Sequence, residues 1–132
     1  MTKQLEQLKQ SAREANRHSY SPYSQFKVSA ALRGDDGNIY SGVNVENASF
    51  GLSNCAERSA IFSALSAGAS SFDTLVIYTP TATPVSPCGA CRQVISEFAK
   101  QATVISICDS DQVRQHQISE LLPADFDLND YR

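Results

Sequence analysis

Charge is sparse in this sequence. Asp, Glu, Lys and Arg together make up 19% of 132 residues, and the formal net charge is −3. Lys and Arg gather nowhere into the basic patch or stripe that a nucleic-acid polymer would require, so no such partner is expected and small-molecule chemistry is the better reading. Long apolar runs are absent too. Nothing approaches the roughly 20 residues of a membrane-spanning helix, and no membrane contact is expected. The opening stretch Met1-Thr2-Lys3-Gln4-Leu5-Glu6 is mixed polar and lacks the apolar segment of a secretory signal. The expectation is a soluble, cytoplasmic protein, in which Cys55, Cys88, Cys91 and Cys108 are reduced thiols or metal ligands rather than disulfides. Histidine is scarce: His18 and His116 both lie in polar contexts and read as surface residues. Internal repeats and low-complexity segments are missing.

What is present has the balance of an ordinary globular chain, 42% hydrophobic and of a length that suits one domain, residues 1–132. Leu5, Leu8, Ala12 and Ala15 recur at helical spacing and predict an amphipathic helix over 3–18. Tyr20-Ser21-Pro22-Tyr23 breaks it. Residues 26–32 and 39–45, separated by Asp35-Asp36-Gly37-Asn38, read as a β-hairpin. A second helix is expected over 55–67, with Asn54 as its N-cap and Gly68 as its stop. Residues 74–78 and 103–108 read as buried strands and 112–118 as a last edge strand. Between the buried strands lies a third helix, about 88–100, with Cys91, Val94, Ile95 and Phe98 facing inward. Strands alternating with helices after a hairpin imply an α/β layer sandwich with a mixed sheet.

Pro87-Cys88-Gly89-Ala90-Cys91 places two thiols three residues apart at a helix start, where both can reach one ion. Alone, this pair fits a redox dithiol equally. Asn54-Cys55-Ala56-Glu57 supplies a third thiol at another helix start, and three protein ligands mark a catalytic zinc with its fourth position open to water. Glu57 is then the proton carrier. Residues two apart on a regular helix diverge by roughly 200°, so Cys55 and Glu57 converge only if Cys55 stands at the very start, off the regular cylinder. Three thiolates around Zn²⁺ sum to −1; two helix N-termini offset that charge, and Arg58 is a candidate donor to a cysteine sulfur. The competing readings are buried free thiols, the redox pair, and a closed four-thiolate zinc recruiting Cys108.

The pattern Cys-Ala-Glu … Pro-Cys-Gly-Ala-Cys resembles the zinc-dependent nucleobase deaminases. The likeness to the small, homotetrameric cytidine deaminases covers most of the chain. It rests on Tyr20-Ser21-Pro22-Tyr23-Ser24-Gln25-Phe26-Lys27-Val28, Gly42-Val43-Asn44-Val45-Glu46-Asn47, Cys55-Ala56-Glu57-Arg58 and Ser86-Pro87-Cys88-Gly89-Ala90-Cys91-Arg92-Gln93, in the same order and at similar spacing. Ser29 and Phe50 depart from residues that the family often carries there, Gly and Tyr. The resemblance implies a three-layer α-β-α sandwich around a mixed five-stranded sheet, one zinc per chain on Cys55, Cys88 and Cys91, and Glu57 as the catalytic acid–base. It further implies that Asn44 and Glu46 bind the ribose, that Phe26 packs against the pyrimidine, and that the Ala56 main chain contacts the base. The substrate would be a nucleoside, cytidine or 2′-deoxycytidine, and the assembly a homo-oligomer, a tetramer. In it Phe126, on the C-terminal aromatic segment, would reach toward a neighbour's site.

Two observations made on the residues alone support parts of this. Asn44 and Glu46 alternate with Val43 and Val45 and so share one side of a strand end. From Ser59 to Phe72 no residue is charged. If Ile61, Phe62 and Leu65 face the sheet, a stripe of Ser and Ala is left to pack against another subunit. The rival readings are a deaminase of a related cytosine nucleoside such as blasticidin S, suggested by Asp109-Ser110-Asp111 and Ile118-Ser119-Glu120-Leu121-Leu122-Pro123, and a zinc- or nucleoside-binding module without turnover.

Overall fold

The computed structural model describes residues 2–132. Helix α1 (Thr2–Ala15) runs into a short 3₁₀ turn (Asn16–His18). The hairpin β1 (Ser29–Gly34) and β2 (Ile39–Val43) follows, then α2 (Ala56–Ser66), β3 (Phe72–Tyr78), α3 (Gly89–Phe98), β4 (Thr103–Ile107), β5 (Arg114–Gln117) and a single-turn α4 (Ile118–Leu121). The sheet order is β2-β1-β3-β4-β5, with β3 and β4 parallel and the other neighbours antiparallel. This is the mixed five-stranded sheet the sequence implies.

Both faces of the sheet are covered, which explains why its central strands read as nearly unbroken apolar runs. Ala31, Val76, Tyr78, Ile105 and Ile107 meet Leu8 and Ala12 of α1. Ala30, Leu32, Leu75, Ile77 and Val104 point the other way, against Ala56, Ala60, Ile61 and Ala64 of α2 and Ile95 of α3. Alternation of side chains along each strand divides one apolar sequence between two cores. The serine at position 29 is explained by α1: its buried hydroxyl donates to Ala12 O at 2.5 Å and accepts from Asn16 Nδ2 at 3.1 Å, tying the helix end to β1.

Three expectations are corrected. The first strand begins at Ser29 rather than residue 26, because Phe26 and Val28 give their main-chain groups to the Asn44 side chain instead of a ladder. The second helix faces the sheet with alanines and Ile61, while Phe62 is 43% exposed and points outward. The cause is a close approach of β2. A Cβ on Gly42 would stand 2.7 Å from the Ser59 carbonyl carbon and 2.8 Å from Ala56 O, so only small residues fit between helix and strand. Lastly, the edge strand expected over 112–118 is shorter, Arg114–Gln117, because Ile118 opens α4. Gly68, at φ +104°, does end α2 as the sequence implies.

Candidate metal centre and active site

Two helices deliver the thiols. Cys55 is the N-cap of α2, in extended conformation (φ −76°, ψ 154°), and Cys88 is the N-cap of α3 (φ −67°, ψ 169°). Asn54, expected at the cap of α2, sits one residue outside it. Its main chain bridges Val45 in both directions at 2.9 and 3.0 Å, and Nδ2 donates to Ser59 Oγ at 3.3 Å. This placement frees Cys55 from the helix cylinder, so its sulfur and the Glu57 side chain can approach one point.

The sulfurs of Cys55, Cys88 and Cys91 lie within 4.8 Å of one another. Cys55 Sγ is 3.7 Å from Cys88 Sγ, which is 3.4 Å from Cys91 Sγ. Sulfurs at about 2.3 Å from a tetrahedral zinc stand about 3.8 Å apart, so the cluster fits one ion. Cys91 is buried, Cys55 half-buried and Cys88 exposed, which leaves an open side toward solvent. Cys108 is buried elsewhere, its thiol among the carbonyls of Ala82 and Gln112 at 3.5 Å, and does not join the cluster. The four-thiolate reading therefore fails.

The groups around the sulfurs favour one thiolate, at Cys55. Hydrogen bonding from the Cys91 thiol and from Arg58 holds the Cys55 thiol down to about 5, despite partial burial. The same bond to Cys55, together with burial, pushes Cys91 upward. Arg58 Nη2 lies 3.3 Å from Cys55 Sγ, the placement expected of it, while its buried Nε has no partner. Glu57, the second residue of α2, is 5% exposed. Burial raises its carboxyl to about 7; the Cys55 charge adds to this, and the Glu57 amide and Cys91 thiol pull less strongly the other way.

Residues 2–107 match the family model described as the cytidine and deoxycytidylate deaminase zinc-binding region. This chain belongs to that family. A cytidine deaminase of Sporosarcina psychrophila is 42% identical over 127 residues, covering 96% of this chain and 93% of that protein. The crystal structure of a cytidine deaminase from Burkholderia pseudomallei superposes with a TM-score of 0.86 at 45% identity, over 92% of this chain and 98% of that one. A blasticidin-S deaminase of Bacillus cereus is 36% identical over 114 residues, covering 80% of this chain and 81% of that protein.

Against this deaminase frame the remaining candidate residues fall into two groups. The main chain between Asn44 and Glu46 is tied to the approach to α2, because Val45 pairs with Asn54, the neighbour of Cys55. Both direct their polar groups at the 19–28 segment: Asn44 to Ser19, Phe26 and Val28, Glu46 to Tyr23 and Ser24. Phe26 is 39% exposed there. Ala56 is fully buried and offers only main chain; as the first residue of α2, its amide belongs to the turn without intrahelical partners. Phe126 forms the second group. Its main chain is held in both directions by the Gln93 side chain of α3, at 2.8 and 3.1 Å, and its exposed ring stacks on Tyr131. A cavity of about 470 Å³ lies elsewhere, between α1 and the sheet, lined by Leu5, Leu8, Arg33, Phe72 and Ile105 among others and by none of the candidate site residues. The sequence reading missed Ser19, Ser24 and Gln93 as organisers; the only signal for Ser24 and Gln93 was membership in the matching segments, and Ser19 lies just outside them.

Proposed function

We propose that this chain hydrolyses the 4-amino group of cytidine and 2′-deoxycytidine to give uridine and 2′-deoxyuridine with release of ammonia, a step of pyrimidine salvage. The observation that carries the reading is a buried carboxyl group, Glu57, two residues from one of three clustered sulfurs. Cys55, Cys88 and Cys91 would hold one zinc ion, which would supply the Lewis acidity that lets a water ionise near neutral pH. Glu57 does the proton work. Its carboxylate takes the proton of the attacking water and gives it to N3 of cytosine, which leaves C4 open to attack. It then takes the water's second proton from the oxygen now bonded to C4 and delivers it to the 4-amino group, so that C4=O forms as the C4–N bond breaks and ammonia departs. One group serves as base and acid in turn, and a carboxyl poised at about 7 suits both roles.

Asn44 and Glu46 hold the sugar, Phe26 packs on the pyrimidine, and the Ala56 main chain contacts the base. Arg58 offsets the excess negative charge of three thiolates through its hydrogen bond to Cys55. The chain acts as a single catalytic domain in the cytoplasm and assembles as a homotetramer, with Phe126 reaching a neighbour's site. Ammonia release from cytidine and from blasticidin S, with zinc content, tests the core of this. Cytidine turnover with one zinc per chain is expected, and Glu57→Gln should abolish turnover while retaining the zinc. A mutant keeping most of its kcat would remove Glu57 from the mechanism, and faster turnover of blasticidin S would replace the proposed substrate.

A further inference from the structure

Gln25 is the one non-glycine residue with positive φ among the described residues, at 57°. Left-handed backbone is uncommon outside glycine and persists where the surroundings over-determine it. Those surroundings are the candidate sugar-binding pair. On one side, Gln25 N donates to Ser21 O at 2.9 Å and closes a turn. From that turn Tyr23 N and Ser24 N donate to Glu46 Oε1 at 2.9 and 3.1 Å, and Ser24 Oγ donates to Glu46 Oε2. On the other side, Phe26 O accepts from Asn44 Nδ2 at 2.8 Å, and Val28 N donates to Asn44 Oδ1 at 3.1 Å, where Ser19 Oγ also donates. The left-handed residue bends the chain so that its two flanks close on two neighbouring side chains of one strand end.

Counting acceptor and donor positions shows what this grip leaves free. A carboxylate has about four lone-pair sites and an amide two donors and two acceptors. Glu46 has spent both sites of Oε1 and one of Oε2; Asn44 has spent both acceptors and one N–H. One acceptor and one donor remain, side by side. Hydrogen bonding from Ser24 also holds the Glu46 carboxyl below its ordinary range, so it stays an acceptor.

We propose that Ser24 and Gln25 are positioning residues for substrate binding: Ser24 fixes the Glu46 carboxylate, and left-handed Gln25 keeps the grips on Glu46 and Asn44 in register, so that the pair meets the nucleoside sugar already oriented. Orientation fixed before binding removes an ordering cost from the complex. The proposal rests on the reading of Asn44 and Glu46 as the sugar contacts. Neither Ser24 nor Gln25 is required to touch the substrate.

The test is kcat/KM for cytidine and for 2′,3′-dideoxycytidine, which lacks the 2′- and 3′-hydroxyls, with zinc content measured alongside. Ser24→Ala and Gln25→Val should each lower the cytidine-to-dideoxycytidine ratio about tenfold, the effect of losing a hydrogen bond to a charged group, mainly through KM for cytidine. Zinc should stay at one per chain. Gln25→Gly, which adopts the left-handed conformation freely, should rescue the ratio to within twofold of the unsubstituted protein. Equal losses in Gln25→Gly and Gln25→Val would overturn the proposal, because the side chain and not the backbone would then matter. A ratio that Glu46→Gln lowers but Ser24→Ala and Gln25→Val leave unchanged would overturn this proposal alone. A ratio insensitive to Glu46→Gln would overturn the sugar assignment, and the proposal with it.

Discussion

Arg58 sits where a single side chain decides how three thiolates share one ion. Without a cation nearby, a tri-thiolate zinc carries a net negative charge, which weakens its hold on an ionisable water. The guanidinium, 3.3 Å from Cys55 Sγ, withdraws part of that charge through a hydrogen bond. Hydrogen-bonding partners of metal ligands are commonly worth about 10–100-fold in metal affinity or activity. Arg58→Ala should therefore lower zinc affinity by about tenfold or more in a chelator competition. An affinity equal to that of the unsubstituted protein would show that the contact is incidental. The cluster itself was legible in the sequence because spacing and residue type sufficed: Cys-Ala-Glu and Pro-Cys-Gly-Ala-Cys state their chemistry directly. Ser24, Ser19 and Gln93 were not legible, since a serine or glutamine acquires its role only from the main-chain groups that folding brings to it.

Between residue and molecule, α2 is the element on which the site depends, because its first turn carries both Cys55 and Glu57. Its seating is set by Gly42 on β2, where main chain meets main chain and no flexible side chain can yield. Gly42→Ala should destabilise the fold by about 1–3 kcal/mol, the usual cost of overpacking, read as a lower urea midpoint at unchanged slope. An unchanged midpoint would mean that β2 moves away freely. The same contact explains the partial legibility of this helix. Its limits and its glycine stop follow from the sequence, but apolarity alone put Phe62 on the sheet, and the sheet-facing stripe was reserved for alanines by a glycine fourteen residues before Ala56. The tail past α4 is strapped to α3 and the turn after it by polar contacts: Ser96 to Asp125, Lys100 to Asp125 and Asp127, and Gln93 to Phe126. Ser96 and Lys100 hold the Asp125 carboxyl below its ordinary range, and Lys100 does the same for Asp127. A carboxyl depressed by folding favours the docked tail above its unfolded pKa and loses that advantage as pH falls through the docked value. The tail should therefore stay docked at pH 5 and be released only well below pH 4, seen as pepsin cleavage near Phe126 at pH 2 but not at pH 4. Lys100→Met should expose it to chymotrypsin already at neutral pH, and equal resistance of the two proteins would assign the docking to other contacts.

At the scale of the whole molecule, several large apolar side chains stand exposed. Phe50 and Leu52 are 74% and 72% exposed, Tyr23 packs edge-on to Phe50 at 6.0 Å between centroids, and Phe62 stands out from a helix face without charge. Single exposed apolar residues are ordinary, but Tyr23, Phe50 and Leu52 flank the strand end and helix start that hold the candidate sugar contacts and the thiols, and clustered exposure of that kind marks interaction surfaces. A second copy is the occupant that fits a neutral, uncharged helix face with small residues at Ser59, Ser63 and Ser66, since a two-fold contact brings identical patches together and charges there would repel. The proposed homotetramer predicts a sedimenting species of about four times the 14.3 kDa chain mass at micromolar concentration. Ser63→Arg would place like charges across such a contact, and it should give smaller species that have lost cytidine turnover while retaining the α/β circular dichroism spectrum. Zinc should remain bound in these species, because all three ligands come from one chain. Fully active monomers, in either the unsubstituted protein or the variant, would remove the assembly from the mechanism and leave Phe126 a residue of the isolated chain's surface.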